Sequence, residues 1–305
     1  MLILAGVFSL SSGGGQFSLK QIFDLSLDPL ILDLRLHRTL LAALVGGALT
    51  CSGITFQVLL KNPLADPYIL GVSSAGALGI TIAVLLKLSF WITPLFSLLG
   101  GGLVILIFTM LNETYQDFFS HRLLLLGVLL GFFFSSLVTL FLSLAAPFEG
   151  AELLYWLMGG VSREFSHSFI YLIGGLIFLT CLFLYQKSTL LNVLNFSDEE
   201  AHTLGVPIQP TKKYLLTLGS LLCAFSVSLS GTIGFVGLIV PHFVRSWFGY
   251  DHRLILPIGF LSGAIFVITA DTCIRAFSSH EIPVGVVTAL IGIPVFMFSL
   301  WRRPL

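Results

Sequence analysis

Charge is scarce in this sequence. Only 10% of its 305 residues are Asp, Glu, Lys or Arg, where a soluble domain carries about 25%. That deficit excludes a water-facing surface for a chain of this length. A mean hydropathy of +1.00 and a hydrophobic content of 56% make the bilayer the solvent. In lipid every backbone polar group needs an internal partner, so only helices or closed barrels span. Alternating ten-residue strands are missing and long apolar runs are present, which selects helices. The formal net charge of zero points away from nucleic acid.

Further absences narrow the function. There is no G-x-x-x-x-G-K-[ST] loop, so the chain is not by itself a P-loop ATPase. No H-E-x-x-H or CxxC occurs, and the four cysteines (Cys51, Cys181, Cys223, Cys273) stand far apart in apolar runs. They read as small buried hydrophobes, and His242 and His252 read as structural residues, not ligands. Nothing suggests a nucleophile or metal cluster of a membrane enzyme. Carboxylates near the middle of the spans are almost missing, which argues against a proton- or sodium-driven carrier and against a charged ion channel. Asp271 lies near the end of an apolar segment, where it reads as the i,i+4 partner of Arg275.

What is present is a series of ten apolar segments: 1–12, 39–60, 69–88, 90–110, 122–145, 167–186, 213–230, 234–248, 254–276 and 284–301. The first and eighth are short. The run "MLILAGVFSLSSGGG" lacks a basic region and falls short of the roughly 20 residues a span needs. It reads either as a first helix clipped by a late start codon or as a poor signal peptide, and we favour the clipped helix. Segments two to five and seven to ten form two groups of opposite direction, the form of an inverted repeat. The expected fold is an all-α polytopic membrane protein of about ten transmembrane helices, a single domain over residues 1–305. With the N-terminus placed inside, nine of the 15 basic residues fall in inside loops and six outside. That bias has the expected sign, and both termini come out cytoplasmic.

Two stretches between spans have the composition of folded elements. "AELLYWLMGGVS", residues 151–162, suits a short helix at the outer interface. The loop at 187–213 spaces Leu, Val and Phe helically. Within it "SDEEAHTLG" has Ser197 as N-cap, acidic residues in the first turn and Gly205 at the end. The break "LLKNPLADPYILGVSSAGALG" reads as an inside turn. Pro63 and Pro67 stop the helix, Asn62 and Asp66 supply turn hydrogen bonds, and glycines begin the next span for close packing. Ser135, Ser136, Ser226 and Ser228 suit the small, neutral wall of a wide passage.

Several motifs, in order, carry a family resemblance: "LRLHRTLLAALVGGALTCSGITFQVLLKNPLADPYILGVSSAGALG", "LSGTIGFVGLIVPHFVR", "DHRLILPIGFLSGA", "AD" followed four residues later by Arg275, and "EIPVGVVTALIGIPVFMFSL". From about Leu34 to the C-terminus the chain resembles the FecCD/BtuC-type ABC importer permeases, which take up iron–siderophore complexes, haem or cobalamin. The resemblance implies a bacterial inner-membrane homodimer with two ATPase subunits beneath it and a substrate-binding protein above. ATP and magnesium would then belong to the ATPase, with no cofactor in this chain. It implies that Leu191–Pro207 couples to the ATPase, with Asp198, Glu199, Glu200, Ala201, Leu204 and Gly205 facing that partner. Arg35, Arg38 and Arg275 would receive carboxylates of the binding protein. Ser120 and His121, in "NETYQDFFSHRLLLLGV", would sit near the cytoplasmic gate. An iron–siderophore or related metal chelate is the expected cargo, with haem or cobalamin as the alternative.

Overall fold

The computed structural model describes residues 29–89, 91–114, 121–163, 165–277 and 282–302, together with Gly6 and Ser9. Among these residues there are twelve α-helices and no strand. They are α1 (Pro29–Leu59), α2 (Val72–Leu85), α3 (Thr93–Thr114), α4 (His121–Leu144), α5 (Pro147–Leu157), α6 (His167–Gln186), α7 (Ser188–Leu194), α8 (Asp198–Thr203), α9 (Ile208–Ser230), α10 (Val236–Phe248), α11 (His252–Phe277) and α12 (Val284–Arg302). A single 3₁₀ turn, Pro67–Leu70, precedes α2.

Six helices (α1, α3, α4, α6, α9 and α11) are long and apolar enough to cross a bilayer. The α2 and α10 helices are shorter, with 14 and 13 residues. At 1.5 Å per residue each covers only about 20 Å of a hydrocarbon core about 30 Å thick. The first expected span, 1–12, lies outside the described residues apart from Gly6 and Ser9.

Two span boundaries differ from the hydropathy reading. α1 begins ten residues before the expected 39, and α9 begins at Ile208, not 213. Both extensions contain basic residues, Arg35 and Arg38 on α1 and Lys212 on α9. Arg38 and Lys212 each meet a carboxylate from a distant element, so charge that ends an apolar run does not end the helix.

The core is built on α1 and α9, whose apolar stretches are about three-quarters buried, whereas α3, α4 and α6 are mostly exposed on the periphery. In lipid an exposed Leu or Phe is at home, so Leu125, Leu129, Phe132 and Phe133 along α4 need no protein cover. α1 packs closely on α11. A Cβ at Gly46 would lie 2.1 Å from the carbonyl oxygen of Gly263, so the backbones touch where any side chain would separate them. Ser226 and Ser228 are fully buried in α9 and donate to the carbonyls of Leu222 and Phe225. They are packing residues here and not the passage wall expected for them. Ser135 and Ser136 remain exposed, and Ser135 contacts the Ser74 hydroxyl at 3.3 Å.

The break after α1 folds as its sequence suggests. Asn62 Oδ1 accepts from the N–H of Leu64, and Asp66 accepts from the N–H of Tyr68 to cap the 3₁₀ turn. Gly71 then enters α2 at φ 75, with the backbone of Gly131 against it. The second half repeats this form. The long α9 is followed by a tight loop, a left-handed N-cap at Phe235 (φ 68), and the short α10. The two loops meet: the Tyr68 hydroxyl donates to the carbonyl of Ile233 and accepts from its N–H.

Candidate functional site

One end of the bundle carries a rigid projection, α7–α8. Ser197 begins α8 as a reciprocal cap. Its Oγ accepts from the N–H of Glu200 at 3.2 Å, and Glu200 Oε2 accepts from the Ser197 N–H at 2.9 Å. The Glu200 carboxyl is held below its usual range by the bonds it accepts from the Ser197 N–H and from the Ser197 hydroxyl. Gly205 closes the helix at φ 80, where an L side chain is disfavoured. The N-cap, acidic first turn and terminal glycine read from the sequence are all in place.

Two clamps join this projection to the spans. The first centres on Asp198, the first residue of α8. Lys61, just beyond α1, donates to Oδ1 at 2.8 Å, and Lys212 of α9 donates to Oδ2 at 2.5 Å. Partial burial alone would raise the Asp198 carboxyl, but the hydrogen bonds from Lys212 and Lys61 outweigh it, and the net shift is downward. The second clamp is Asn192 of α7. Its Nδ2 donates to Asp251 Oδ1 at 2.8 Å, and its Oδ1 accepts from the N–H of His252 at 2.9 Å and faces His252 Nδ1 at 2.7 Å. The Asn192 bond is the main reason the Asp251 carboxyl lies below its usual range. Arg253 adds a bond to Thr189.

The other expected coupling residues divide. Glu199, Glu200, Leu204 and Gly205 are exposed, and Phe196 adds an exposed ring beside them. Ala201 is fully buried and does not face a partner as expected, because it packs α8 inward onto the bundle. Sequence reading passed over Asn192 and the pairing of Lys61 with Asp198. A contact between residues 137 apart leaves no local pattern to read.

The opposite end carries an arginine–aspartate cluster. Asp271 is 1% exposed and receives Arg38 through Nε at 2.9 Å and Nη2 at 2.7 Å, and Arg275 through Nε at 3.0 Å. Arg275 also donates to Ser9, at its carbonyl and at its hydroxyl. Two of the three arginines expected to meet a binding protein are thus turned inward onto a carboxylate. The third, Arg35, sits half-buried one turn before Arg38 on α1. Asp33, two residues before Arg35 on α1, pairs with His167 at the same end. Arg163 lies on the Trp156 ring, 3.2 Å from its centroid. Of the expected gate pair, Ser120 lies outside the described residues, as does the side chain of His121.

Among the described residues no group of three or more His, Cys, Asp or Glu is placed to hold a metal. A groove of about 720 Å³ between α10, α11 and α12 is lined by residues such as Phe243, Trp247, Phe248 and Ile265. Its lining suits acyl chains or another helix, not a charged chelate.

An all-helical bundle sunk in lipid, with a braced projection at one end and a basic cluster at the other, defines a multi-pass membrane transport subunit. Residues 1–302 match the model of the FecCD transport family, and the chain belongs to that family. It is similar to the uncharacterized ABC transporter permease protein YvrB of Bacillus subtilis, with 38% identity over 90% of this chain and 79% of that one. It is also similar to the vitamin B12 import system permease protein BtuC of Salmonella typhimurium, with 36% identity over 99% of this chain and 93% of that one. A solved inward-facing metal-chelate type ABC transporter superposes with a TM-score of 0.89 at 31% identity, covering 99% of this chain and 96% of that one. The chain is an ABC importer permease, of a family whose ATPase sits in separate subunits.

Proposed function

We propose that this chain forms the membrane passage of a binding-protein-dependent importer for a metal chelate. Two copies enclose the path, two ATPase subunits bind the α7–α8 end, and a substrate-binding protein delivers cargo to the arginine-rich end. The observation that carries this reading is the projection itself. A helix pair, with α8 capped by Ser197, that is bonded to the starts of α9 and α11 and to the end of α1 passes on a rigid-body push, which a flexible loop would absorb. The α7–α8 end is cytoplasmic, and the membrane is the bacterial inner membrane. Glu199, Glu200, Leu204 and Gly205 meet the ATPase, together with Phe196. Arg35, backed by Arg38 and Arg275, presents positive charge to carboxylates of the binding protein. Ser120 and His121 border the inner gate. ATP and magnesium bind to the partner ATPase.

The cargo is a metal chelate, either a ferric siderophore or a corrinoid. The 36% identity to vitamin B12 permeases over nearly the whole chain favours the corrinoid; the metal-chelate transporter of similar fold keeps the ferric chelate. The test is reconstitution with the cognate ATPase and binding protein, followed by ATP-dependent uptake of vitamin B12, haem and ferrichrome. Uptake of one of them that needs all three components supports the reading. Uptake by this chain alone down an ion gradient would refute it.

A further inference from the structure

We infer that Asp198 is an internal strut of the coupling projection and not a contact for the ATPase, and that it delivers the ATPase movement to α1 and α9. This rests on the importer reading above. Asp198 is half-exposed, which on its own suggests a partner-facing carboxylate. Each of its oxygens accepts from a lysine of this chain, however, Oδ1 from Lys61 and Oδ2 from Lys212. Lys212 is only 5% exposed, so its ammonium faces the protein and holds the Asp198 carboxylate against α9. Glu199, the next residue, is exposed and supplies the outward face.

The location of the partners makes this pairing mechanical. Lys61 sits at φ 47 directly beyond α1, and Lys212 lies in the first two turns of α9. Those are the two most buried spans. α8 is only six residues long and could not hold its orientation by its own backbone. Its attachment is Ala201 packed beneath it and Asp198 at its first turn. A displacement of α8 therefore pulls on the ends of both core helices through one carboxylate. Asn192 makes the equivalent link from α7 to α11.

The test uses the complete assembly of this chain with its cognate ATPase and binding protein in proteoliposomes. Uptake is read with whichever of vitamin B12, haem or ferrichrome the unmodified assembly imports. With Asp198→Asn, ATPase subunits should bind with unchanged affinity and ATP should be hydrolysed, while molecules imported per ATP fall about five- to tenfold. Lys61→Met and Lys212→Met should lower the same ratio, and Asp198→Glu should restore most of it. Glu199→Gln should do the reverse, weakening ATPase binding and sparing the ratio. If Asp198→Asn instead weakens ATPase binding as Glu199→Gln does, or leaves both quantities unchanged, the strut is refuted. If the unmodified chain binds no ATPase subunit, the importer reading fails with it.

Discussion

The hydroxyl of Tyr68 makes two hydrogen bonds of 2.8 Å with Ile233, donating to its carbonyl and accepting from its N–H. One side chain thus completes the backbone of a loop 165 residues away and ties the start of α2 to the start of α10. Each of those short helices begins at a left-handed residue, Gly71 or Phe235, so this contact fixes both entry points at once.

Tyr68→Phe keeps the ring and removes both bonds. It leaves the Ile233 backbone without its partners in a region that water reaches poorly, at a cost of about 1–3 kcal/mol. Unfolding in detergent should show that loss, and a variant as stable as the parent would mean that the bridge contributes nothing.

Gly46 and Gly102 make a matched pair. A Cβ at Gly46 meets the Gly263 carbonyl at 2.1 Å, whereas one at Gly102 meets nothing within 4 Å. Gly46→Leu should force α1 from α11 and abolish monodisperse protein in size-exclusion chromatography. Gly102→Ala should stay within about 0.5 kcal/mol of the parent.

The three arginines should separate by experiment. Asp271→Ala leaves Arg38 and Arg275 adjacent without their carboxylate, and breaking a buried pair in this way costs about 3–5 kcal/mol. The first readout to change should be stability. Arg35→Glu should cost less stability than Asp271→Ala while lowering binding-protein affinity about tenfold at low salt, with the difference shrinking as salt rises. Equal loss of stability in both variants would refute the division of roles.

The Asp198 clamp has a defined pH dependence. Its folded carboxyl lies below the unfolded value of about 3.9. The stabilisation is therefore complete above that value and is lost as pH falls through the lower folded pKa. Protection of the α8 amides against hydrogen exchange should be flat near neutral pH and drop in acid. Asp198→Asn should be less protected at neutral pH and show a smaller acid step, the remainder coming from the Glu200 cap.

Reading the chain residue by residue determined the solvent, the helical class, the order of the spans and the cap chemistry of α8. These follow from composition and from patterns a few residues long: too little charge for water, apolar runs of span length, and Ser197 three residues before Glu200. The tertiary structure decided where charged residues belong. Hydropathy began α1 after Arg38 and α9 after Lys212 because a charge in lipid is costly. Asp271 and Asp198 remove that cost from positions 233 and 14 residues away, so both helices run on. The same contacts place Arg38, Arg275 and Asp198, expected at docking surfaces, in ion pairs within the chain. A hydrogen-bond partner is a fact of three-dimensional proximity, and a local sequence pattern does not encode it.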